Sequence, residues 1–512
     1  MTALIVHGHF YQPPRENPWT GNVDREFGAD PYHDWNERIH AECYVPNTQA
    51  QIIGAQETIE RTVNNYEKIS FNFGPTLLSW LQRWHPQTYS RIIEADLVSR
   101  KTRGGHGNAI AQAYGHAILP LANDQDRLTQ VVWGVADFRH RFGREPESLW
   151  LPETACDNRT LDLLIEQHLR FVILAPTQAA RRKAAGSDEW KSVENGSIDT
   201  TKAYRYLHQD GSGRSIAVFF YDGPAARAIA FEKALVSSEA LVAVFRRAAA
   251  RGPLVNVATD GETYGHHFKF GDLCLAHALE IEAPDEGFSI TNYGQYLDQY
   301  PAELEVQINE GPEGEGMSWS CAHGVGRWLR DCGCHTGGES GWNQAWRGPL
   351  RAALTFLGDK AAGHFETLGS NVFVDPWAAR NASIDLVLDQ QRSREEFLHR
   401  QAGRWLPTID QVRALTLLEL QRNALLMFTS CGWFFSEVSG IETIQVMKYA
   451  ARVIGLLAEL GLPSPRGQFL EMLAEAGSNL KDKGTGADVY RRYAEPTPVA
   501  AQEVGDAEAK LT

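Results

Sequence analysis

Two short segments of this 512-residue chain place carboxylates directly after apolar runs. Glu153 follows the run SLWLP, and Asp260 and Glu262 follow the run LVNVAT. A carboxylate at the end of a buried strand can act as a nucleophile, and a crowded second carboxyl with a raised pKa can act as a general acid. Each segment alone also fits a structural explanation, a helix start for Glu153 and a capped turn for Asp260 and Glu262. Together they predict a pair of catalytic carboxyls.

Three histidines stand near the ends of other apolar runs. His7 and His9 close the first run of the chain, and His116 lies in the segment QAYGHAILPL. A single histidine near a core is usually structural, but three at neighbouring strand ends indicate a function. Such side chains orient the hydroxyl groups of a ligand by hydrogen bonds or bind a metal ion, and the sequence leaves both alternatives open.

The segment CAHGVGRWLRDCGCH combines thiols and imidazoles at residues 321–335. Its possible ligands are Cys321, His323, Cys332, Cys334 and His335. Their spacing matches no common zinc finger. We therefore favour a glycine-rich substrate loop with buried thiols, in which Arg327 and Trp328 face the ligand, and we expect neither a metal nor a cofactor.

The elements that must position these residues alternate between strand and helix in the first half of the chain. Seven apolar runs are separated by amphipathic segments, which predicts a parallel sheet with helices outside it. The runs cover residues 4–10, 69–73, 108–112, 148–152, 171–175, 216–221 and 254–258. The polar residues follow the carboxyl ends of the runs, where (β/α) barrels gather their catalytic groups. The first run lacks a G-x-G-x-x-G motif and no P-loop is present, which counts against nucleotide binding.

The second half of the chain has helical periodicity instead. We predict a catalytic (β/α)7 barrel over residues 1–300, a Gly/Cys-rich substrate-loop region over 301–342, a helical domain over 343–494 and a disordered tail over 495–512. Residues 181–197 are predicted to form a long loop after a strand. The fold class is therefore α/β, an incomplete (β/α)7 barrel followed by an all-α domain.

Composition narrows the range of partners. The net charge of -15 and the pI of about 5.6 disfavour nucleic acid and anionic membranes and suit a neutral ligand. The N-terminus lacks a basic region, and no apolar stretch is long enough to span a bilayer. Seven cysteines without a disulfide-dense spacing fit a reducing compartment, so we expect a cytoplasmic protein. The oligomeric state is left open.

These motifs, taken in order, resemble the five short regions of glycoside hydrolase family 57. They are HGHFYQP at residues 7–13, GHAILPL at 115–121, WLPE at 150–153, DGETYGH at 260–266 and, most loosely, SCGWFFSEVSG at 430–440. The first motif departs from the family pattern by two extra residues before Gln12. The resemblance covers about residues 1–450, and the chain is similar to the bacterial subgroup whose C-terminal half is a domain of unknown function.

The resemblance implies a (β/α)7 barrel with a helical domain, and a retaining reaction on α-glucans through a glycosyl-enzyme intermediate. It assigns the nucleophile to Glu153 and the acid/base to Asp260. The predicted substrate contacts, from the resemblance and from the residues together, are His7, His9, Gln12, His116, Trp150, Glu262, His266, Arg327, Trp328 and Trp433. Hydrolysis (amylase), 4-α-glucanotransfer and branching are all compatible with these residues.

Two other functions remain open at the level of sequence. A metal-dependent hydrolase related to polysaccharide deacetylases would use His7, His9, His116 and Asp260 as ligands of a divalent ion. A catalytically silent glucan-binding or regulatory protein would keep the binding surface without turnover.

Overall fold

The computed structural model describes residues 2–54, 58–389 and 391–496, which fall into two units. The first unit comprises Met1–Gln12, Arg25–Tyr114 and Asp137–Ser320, and the second comprises Pro13–Asp24, Gly115–Ala136 and Cys321–Thr512. Apart from residues 495 and 496, the predicted disordered tail lies outside the described residues.

All fourteen described strands belong to the first unit. They are β1 (Thr2–Phe10), β2 (Ala50–Ile53), β3 (Ile59–Val63), β4 (Ser70–Phe73), β5 (Ala111–Gln112), β6 (Leu149–Trp150), β7 (Phe171–Leu174), β8 (Ala179–Ala184), β9 (Lys191–Ser192), β10 (Ala203–Leu207), β11 (Ser215–Phe220), β12 (Leu254–Asp260), β13 (Phe288–Ile290) and β14 (Leu304–Ile308). Seven of them, β1, β4, β5, β6, β7, β11 and β12, coincide with the seven apolar runs of the sequence.

These seven strands form an open barrel of parallel strands. β1 pairs with β12 on one side and with β4 on the other, β5 pairs with β6, and β7 pairs with β11. Single parallel bridges join Phe71 to Ala109 and Ser148 to Phe171, which links β4 to β5 and β6 to β7. Between β11 and β12, the backbone N–H of Asp222, just after β11, donates to the Asn256 carbonyl at 2.8 Å, and the Asn256 side-chain amide donates to the Phe220 carbonyl at 3.2 Å. The predicted incomplete (β/α)7 barrel is confirmed.

Helices connect these strands. They are α1 (Trp35–Ile39), α2 (Val45–Thr48), α3 (Pro75–Trp84), α4 (Pro86–Thr102), α5 (Asp124–Phe142), α6 (Asn158–Glu166), α7 (Gly223–Phe231), α8 (Ser238–Ala249), α9 (Gly271–His277), α10 (Ala283–Asp285) and α11 (Tyr293–Gln299). One of the amphipathic segments between the apolar runs, at residues 76–95, divides into α3 and α4 at His85, because Pro86 disfavours helical backbone in the residue before it. The barrel interior is filled by apolar side chains such as Ile5, Phe171 and Phe219.

Two segments that the sequence analysis treated as loops contain strands instead. β8 and β9 pair within the predicted long loop at residues 181–197, and β14 lies in the predicted Gly/Cys-rich region after residue 300. β8 and β14 join β10 and β11 in a six-stranded sheet of mixed direction. The loop prediction was wrong there because β8 and β9 are short, polar and partly exposed, whereas β14 alternates apolar with polar residues, so none of the three is a continuous apolar run.

The second unit is helical, as predicted for the C-terminal half of the chain. It contains α12 (Arg347–Gly369), α13 (Pro376–Ala382), α14 (Ile384–Leu388), α15 (Arg394–Ala402), α16 (Thr408–Leu426), α17 (Ile441–Glu459), α18 (Arg466–Leu473) and α19 (Gly486–Val489). Its core includes Phe365, Phe397 and Leu417. Among the described residues, no helix has the length and apolar character needed to cross a bilayer.

Candidate active site

The carboxyl ends of β1, β4 and β12 bring three of the polar side chains together. The strands are parallel, so their carboxyl ends lie at one end of the barrel. His9 on β1 is opposite Asp260 on β12 and opposite Asn72 on β4. His9 of the first histidine motif and Asp260 of the acid motif therefore meet at this end of the barrel, although about 250 residues separate them in the sequence.

Glu153 lies on a strained turn directly after β6. The turn spans Pro152–Thr154, and Glu153 has φ 58° and ψ 21°, in the left-handed region that is uncommon for a residue with a side chain. Thr154 also has a positive φ, of 50°. The buried Gln178 fixes this turn by accepting from the Thr154 hydroxyl at 2.9 Å and donating to its carbonyl at 2.7 Å. Strain of this kind persists where surrounding contacts hold it, often at functional sites.

Two donors bind one oxygen of the Glu153 carboxylate. The Trp319 indole N–H lies 3.1 Å from Oε2, and the Ser320 hydroxyl lies 2.7 Å from the same atom. Both hydrogen bonds stabilise the ionised form and fix the orientation of the carboxylate. Sequence reasoning missed both residues, because they follow a glycine-rich segment that carries no recognisable motif.

Asp260 has a strongly perturbed environment. Protein atoms around the carboxyl restrict its hydration, and this burial, together with the negative charge of Glu153, raises the pKa of Asp260 to about 7. The side chain still reaches solvent, so water screens part of this effect. Burial, and then the charge of Asp260, raise the pKa of Tyr221, whose ring lies 6.2 Å from that of Trp319. The charge of Glu153 therefore acts on the ionisation of Asp260 within one site.

Glu262 lies deeper than Asp260. Its Oε1 accepts hydrogen bonds from the Tyr44 hydroxyl at 2.7 Å and from the Tyr11 backbone N–H at 3.0 Å. Burial, and then the charge of Asp260, raise the pKa of Glu262 to about 8. The sequence predicted that crowding would raise the pKa of one carboxyl of this pair, whereas both are raised, because burial acts on each.

A network of neutral side chains connects the histidines. His7 Nδ1 lies 3.0 Å from the Ser70 hydroxyl and its Nε2 lies 3.1 Å from Asn72 Oδ1, while Asn72 Nδ2 lies 2.9 Å from His9 Nδ1 and 2.8 Å from Gln112 Oε1. Burial lowers the pKa of both histidines to about 3, so they are uncharged at neutral pH. Asn72 donates to His9 Nδ1, which leaves the His9 proton on Nε2.

Trp150 packs against these histidines. Its ring is stacked on His7 at 4.8 Å and on His9 at 5.0 Å, and it meets Trp319 edge-on at 5.2 Å. Because Trp150 is only 1% exposed, the structure gives it a positioning role towards both histidines. The predicted direct contact of Trp150 with a sugar is not supported.

His266 and Gln12 are partly buried at the margin of this region. His266 Nδ1 contacts the Glu42 carboxylate, and the His266 ring meets Trp35 edge-on at 6.1 Å. Gly265, directly before it, has φ 151°, and a Cβ there would lie 2.5 Å from the Glu42 carbonyl oxygen. The Gln12 amide donates to the Tyr11 carbonyl at 3.1 Å.

The other predicted contacts belong to the second unit. His116 Nδ1 lies 2.7 Å from the Ser430 hydroxyl, and the Trp328 indole donates to the Ser430 carbonyl at 3.0 Å. The Trp433 indole and the Arg327 guanidinium also donate to backbone carbonyls, at 3.2 and 2.7 Å. Trp328 and Trp433 are fully buried, which indicates packing and does not support their predicted contact with a sugar.

The ligand set of a deacetylase-type metal site is not assembled in the part of the chain that the structure describes. There, two groups of His, Cys, Asp or Glu side chains bring their ligand atoms within 4.8 Å of one another, and they are Glu37, His40, His85 and Cys321, His323, Cys332, Cys334. Neither contains His7, His9, His116 or Asp260. Both ring nitrogens of His7 are already bonded to side chains of β4.

Comparison with known families assigns the chain to a class. Residues 3–309 match glycosyl hydrolase family 57, and residues 342–510 match a domain of unknown function (DUF3536). The first match covers more than half of the chain, so the protein belongs to glycoside hydrolase family 57, as the sequence motifs predicted. A sequence comparison with curated proteins gives no significant match.

Solved structures with a similar fold include an amylase, a branching enzyme and a glucanotransferase. An exo-type maltose-forming amylase from Pyrococcus sp. ST04 matches with a TM-score of 0.66 and 16% identity, over 92% of this chain and 82% of that one. A GH57 branching enzyme from Thermococcus kodakaraensis has a TM-score of 0.53 and 14% identity, over 99% and 94%. A 4-alpha-glucanotransferase from Thermococcus litoralis has a TM-score of 0.51 and 14% identity, over 90% and 60%. At such low identity the likeness concerns the fold.

Proposed function

We propose that the protein is a retaining α-glucan hydrolase or transglycosylase with Glu153 as nucleophile and Asp260 as general acid and base. The observation that carries this proposal is the contrast between the two carboxyls. Glu153 accepts two hydrogen bonds on one oxygen, which favours a charged, oriented nucleophile, whereas the raised pKa of Asp260 favours a protonated acid near neutral pH. When the environments of two neighbouring carboxyls favour the protonated form of one and the ionised form of the other, the first can act as the acid and the second as the nucleophile.

The reaction has two steps in this proposal. Asp260 first donates its proton to the glycosidic oxygen while a Glu153 oxygen attacks the anomeric carbon, which releases the leaving sugar and forms a glycosyl ester. Asp260, now a carboxylate, then takes a proton from water or from a sugar hydroxyl. That oxygen attacks the anomeric carbon and frees Glu153. Two inversions give net retention, and the acceptor decides between hydrolysis and transfer.

The surroundings of the carboxyls suit a neutral carbohydrate. His7 and His9 are uncharged, and the partly exposed rings of Trp319 and Tyr221 offer apolar faces of the kind on which sugar rings pack. The choice of an α-glucan rests on family membership and on the related amylase, branching enzyme and glucanotransferase. We also propose a reducing, cytoplasmic location, because none of the seven cysteines forms a disulfide.

Rescue of two alanine variants by azide tests the roles separately. In Glu153→Ala, azide should attack the anomeric carbon directly and give a glycosyl azide of inverted configuration. In Asp260→Ala, with a substrate whose leaving group needs no protonation, azide should react with the glycosyl ester and give a glycosyl azide of retained configuration. The control Glu232→Ala, which removes a surface carboxylate paired with Arg227, should keep wild-type turnover and form no azide product.

The same variants separate the proposal from a silent glucan-binding protein. Wild-type protein should convert maltooligosaccharides, and a panel of linear and branched glucans then distinguishes hydrolysis, disproportionation and branching from the product profile. Turnover by Glu153→Ala at the wild-type rate without azide would refute the nucleophile assignment. Binding of glucans by the wild type without any turnover would favour the silent alternative.

A further inference from the structure

Four potential metal ligands meet in the second unit, outside the carboxyl site. We call Cys321, His323, Cys332 and Cys334 the Cys3His cluster. Cys321 Sγ lies 3.8 Å from Cys332 Sγ, and Cys334 Sγ lies 3.5 Å from His323 Nδ1. The four ligand atoms all lie within 4.8 Å of one another.

Ordinary packing does not account for this cluster. Cys321 is buried, but Cys332 and Cys334 are partly exposed and His323 is exposed, so the three thiols do not meet in an apolar core. The described segment 321–346 contains a single 3-10 turn, Gly326–Trp328, and no strand, so few backbone bonds hold it. Arg327 and Trp328 anchor the middle of the segment by hydrogen bonds to backbone carbonyls, and a bound ion adds crosslinks to loops of this kind in many small domains.

The distances fit the edges of a zinc tetrahedron. With Zn–S near 2.3 Å and Zn–N near 2.05 Å, a regular tetrahedron has S–S edges of about 3.8 Å and S–N edges of about 3.6 Å. The two contacts given above, at 3.8 and 3.5 Å, match these edges. The widest pair, at no more than 4.8 Å, needs a shift of about 1 Å to close the site. A disulfide between Cys321 and Cys332 would instead need the sulfurs about 2 Å apart.

Buried positive charge lies beside the cluster. Arg347 is 0% exposed, and its guanidinium donates to the Cys334 carbonyl at 2.7 Å. Zn²⁺ with three thiolates and one neutral imidazole has a net charge of -1, so a guanidinium in this place would be stabilised by the occupied site.

We infer that the Cys3His cluster binds one Zn²⁺ in a closed, structural site that orders the loop at residues 321–336. Four protein ligands fill the tetrahedron and leave no position for a substrate, which distinguishes a structural site from a catalytic one. The three thiols release three protons to solvent as the ion binds. The inference is independent of the proposed carboxyl chemistry and replaces the glycine-rich substrate loop that the spacing favoured.

Metal content of the full-length chain tests the inference. The untagged protein is produced with zinc in the medium, purified under reducing conditions without chelator, and measured by mass spectrometry of the elements. We expect about one zinc per chain. After removal of zinc with a chelator, the melting temperature should fall, and it should recover when Zn²⁺ is added. Co²⁺ added instead should give the sulfur-to-metal charge-transfer band and the intense visible bands of a tetrahedral thiolate site.

Two matched pairs of variants locate the site. His323→Gln should lose most of the bound zinc, whereas His335→Gln, which changes the exposed histidine beside Cys334, should keep it. Cys332→Ser should lose zinc, whereas Cys431→Ser, which changes a partly exposed cysteine of the same unit, should keep it. Should a ligand variant not fold, the Co²⁺ spectrum of the wild type still reports thiolate ligands.

Three results would overturn the inference. The first is a reduced wild-type protein that holds no zinc after exposure to a slight molar excess of Zn²⁺. The second is equal zinc content in His323→Gln and His335→Gln together with a Co²⁺ spectrum that lacks the charge-transfer band. The third is a disulfide between Cys321 and Cys332 in protein isolated without reductant and protected from oxidation.

Discussion

The alkaline limb of the pH profile is the most specific consequence of the site. An aspartate with its ordinary pKa of 3.8 would be protonated in about one molecule in a thousand at pH 7, too few for an efficient general acid. A pKa raised to about 7 increases the protonated fraction at that pH to as much as about half of the molecules, and solvent screening lowers this upper bound. The protonated form is the active one, so kcat/KM should be level below neutral pH and fall about tenfold per pH unit above it.

The assay compares two substrates whose leaving groups differ in their need for a proton. For a maltooligosaccharide, kcat/KM should follow the Asp260 ionisation, whereas a glycosyl fluoride, whose leaving group needs little protonation, should show a much weaker alkaline decline. Asp260→Asn should lose most activity on the maltooligosaccharide and retain far more on the fluoride. Glu262→Gln should keep an alkaline limb, because Asp260 remains.

Two results would refute this reasoning. One is an alkaline limb that persists unchanged in Asp260→Asn. The other is a limb that vanishes in Glu262→Gln alone, which would identify Glu262, with its pKa of about 8, as the group that donates the proton. Circular dichroism at each pH excludes unfolding as the cause of lost activity.

Three further predictions concern the residues that support the site. The pKa of Glu262 is raised from 4.5 to about 8, so the free energy of unfolding of the wild type falls as the pH rises through this range. Between pH 5 and pH 8, the melting temperature of Glu262→Gln should therefore rise relative to that of the wild type. A difference in melting temperature that stays constant over this range would contradict the prediction. Gln178→Leu should lower the free energy of unfolding by about 3 kcal/mol in urea titrations, because the hydroxyl and the carbonyl of Thr154 both lose their buried hydrogen bonds to Gln178; a loss below about 0.5 kcal/mol would contradict the role of Gln178. Gly265→Ala should destabilise the fold through its contact with backbone, whereas Gly455→Ala, with no atom within 4 Å of the added Cβ, should not; equal melting temperatures would show that the backbone at Gly265 adapts.

The parallel strands were predictable because each one is an apolar run buried on both faces. Leu4, Phe171 and Leu254 begin or lie in such runs, and the alternation with amphipathic helices fixes a parallel arrangement. The strands β8 and β14 were not predictable in this way. They are stabilised by backbone pairing with each other; β8 is polar and partly exposed, and β14 alternates apolar with polar residues, so neither forms an apolar run in the sequence.

The carboxyls were found from sequence because their motifs are local, but their partners were not. Glu153 and Asp260 each follow an apolar run, so a short segment is enough to identify them. Trp319 and Ser320 reach Glu153 across 166 and 167 residues, and Tyr44 reaches Glu262 across 218. Contacts of this range depend on the folded chain and leave no spacing pattern.

For the tryptophans and the cysteine loop, the local motifs did not determine the role of the residues. Trp328 and Trp433 lie in motifs that suggested sugar contacts, yet their indoles are buried and bonded to backbone carbonyls. Likewise, the sequence spacing could not tell whether His323 or His335 joins the cysteines, because both histidines lie close to the cysteines in the sequence. Only the folded positions bring His323 to Cys334.

Trapping of the glycosyl-enzyme tests the central claim most directly. A 5-fluoro-α-glucosyl fluoride slows the second step more than the first, so the covalent ester should accumulate, and peptide mass spectrometry should find the added sugar on the peptide that contains Glu153. Glu153→Gln should form no adduct. An adduct on Asp260 or Glu262, or turnover of α-glucans with inversion and without any adduct, would contradict Glu153 as the nucleophile.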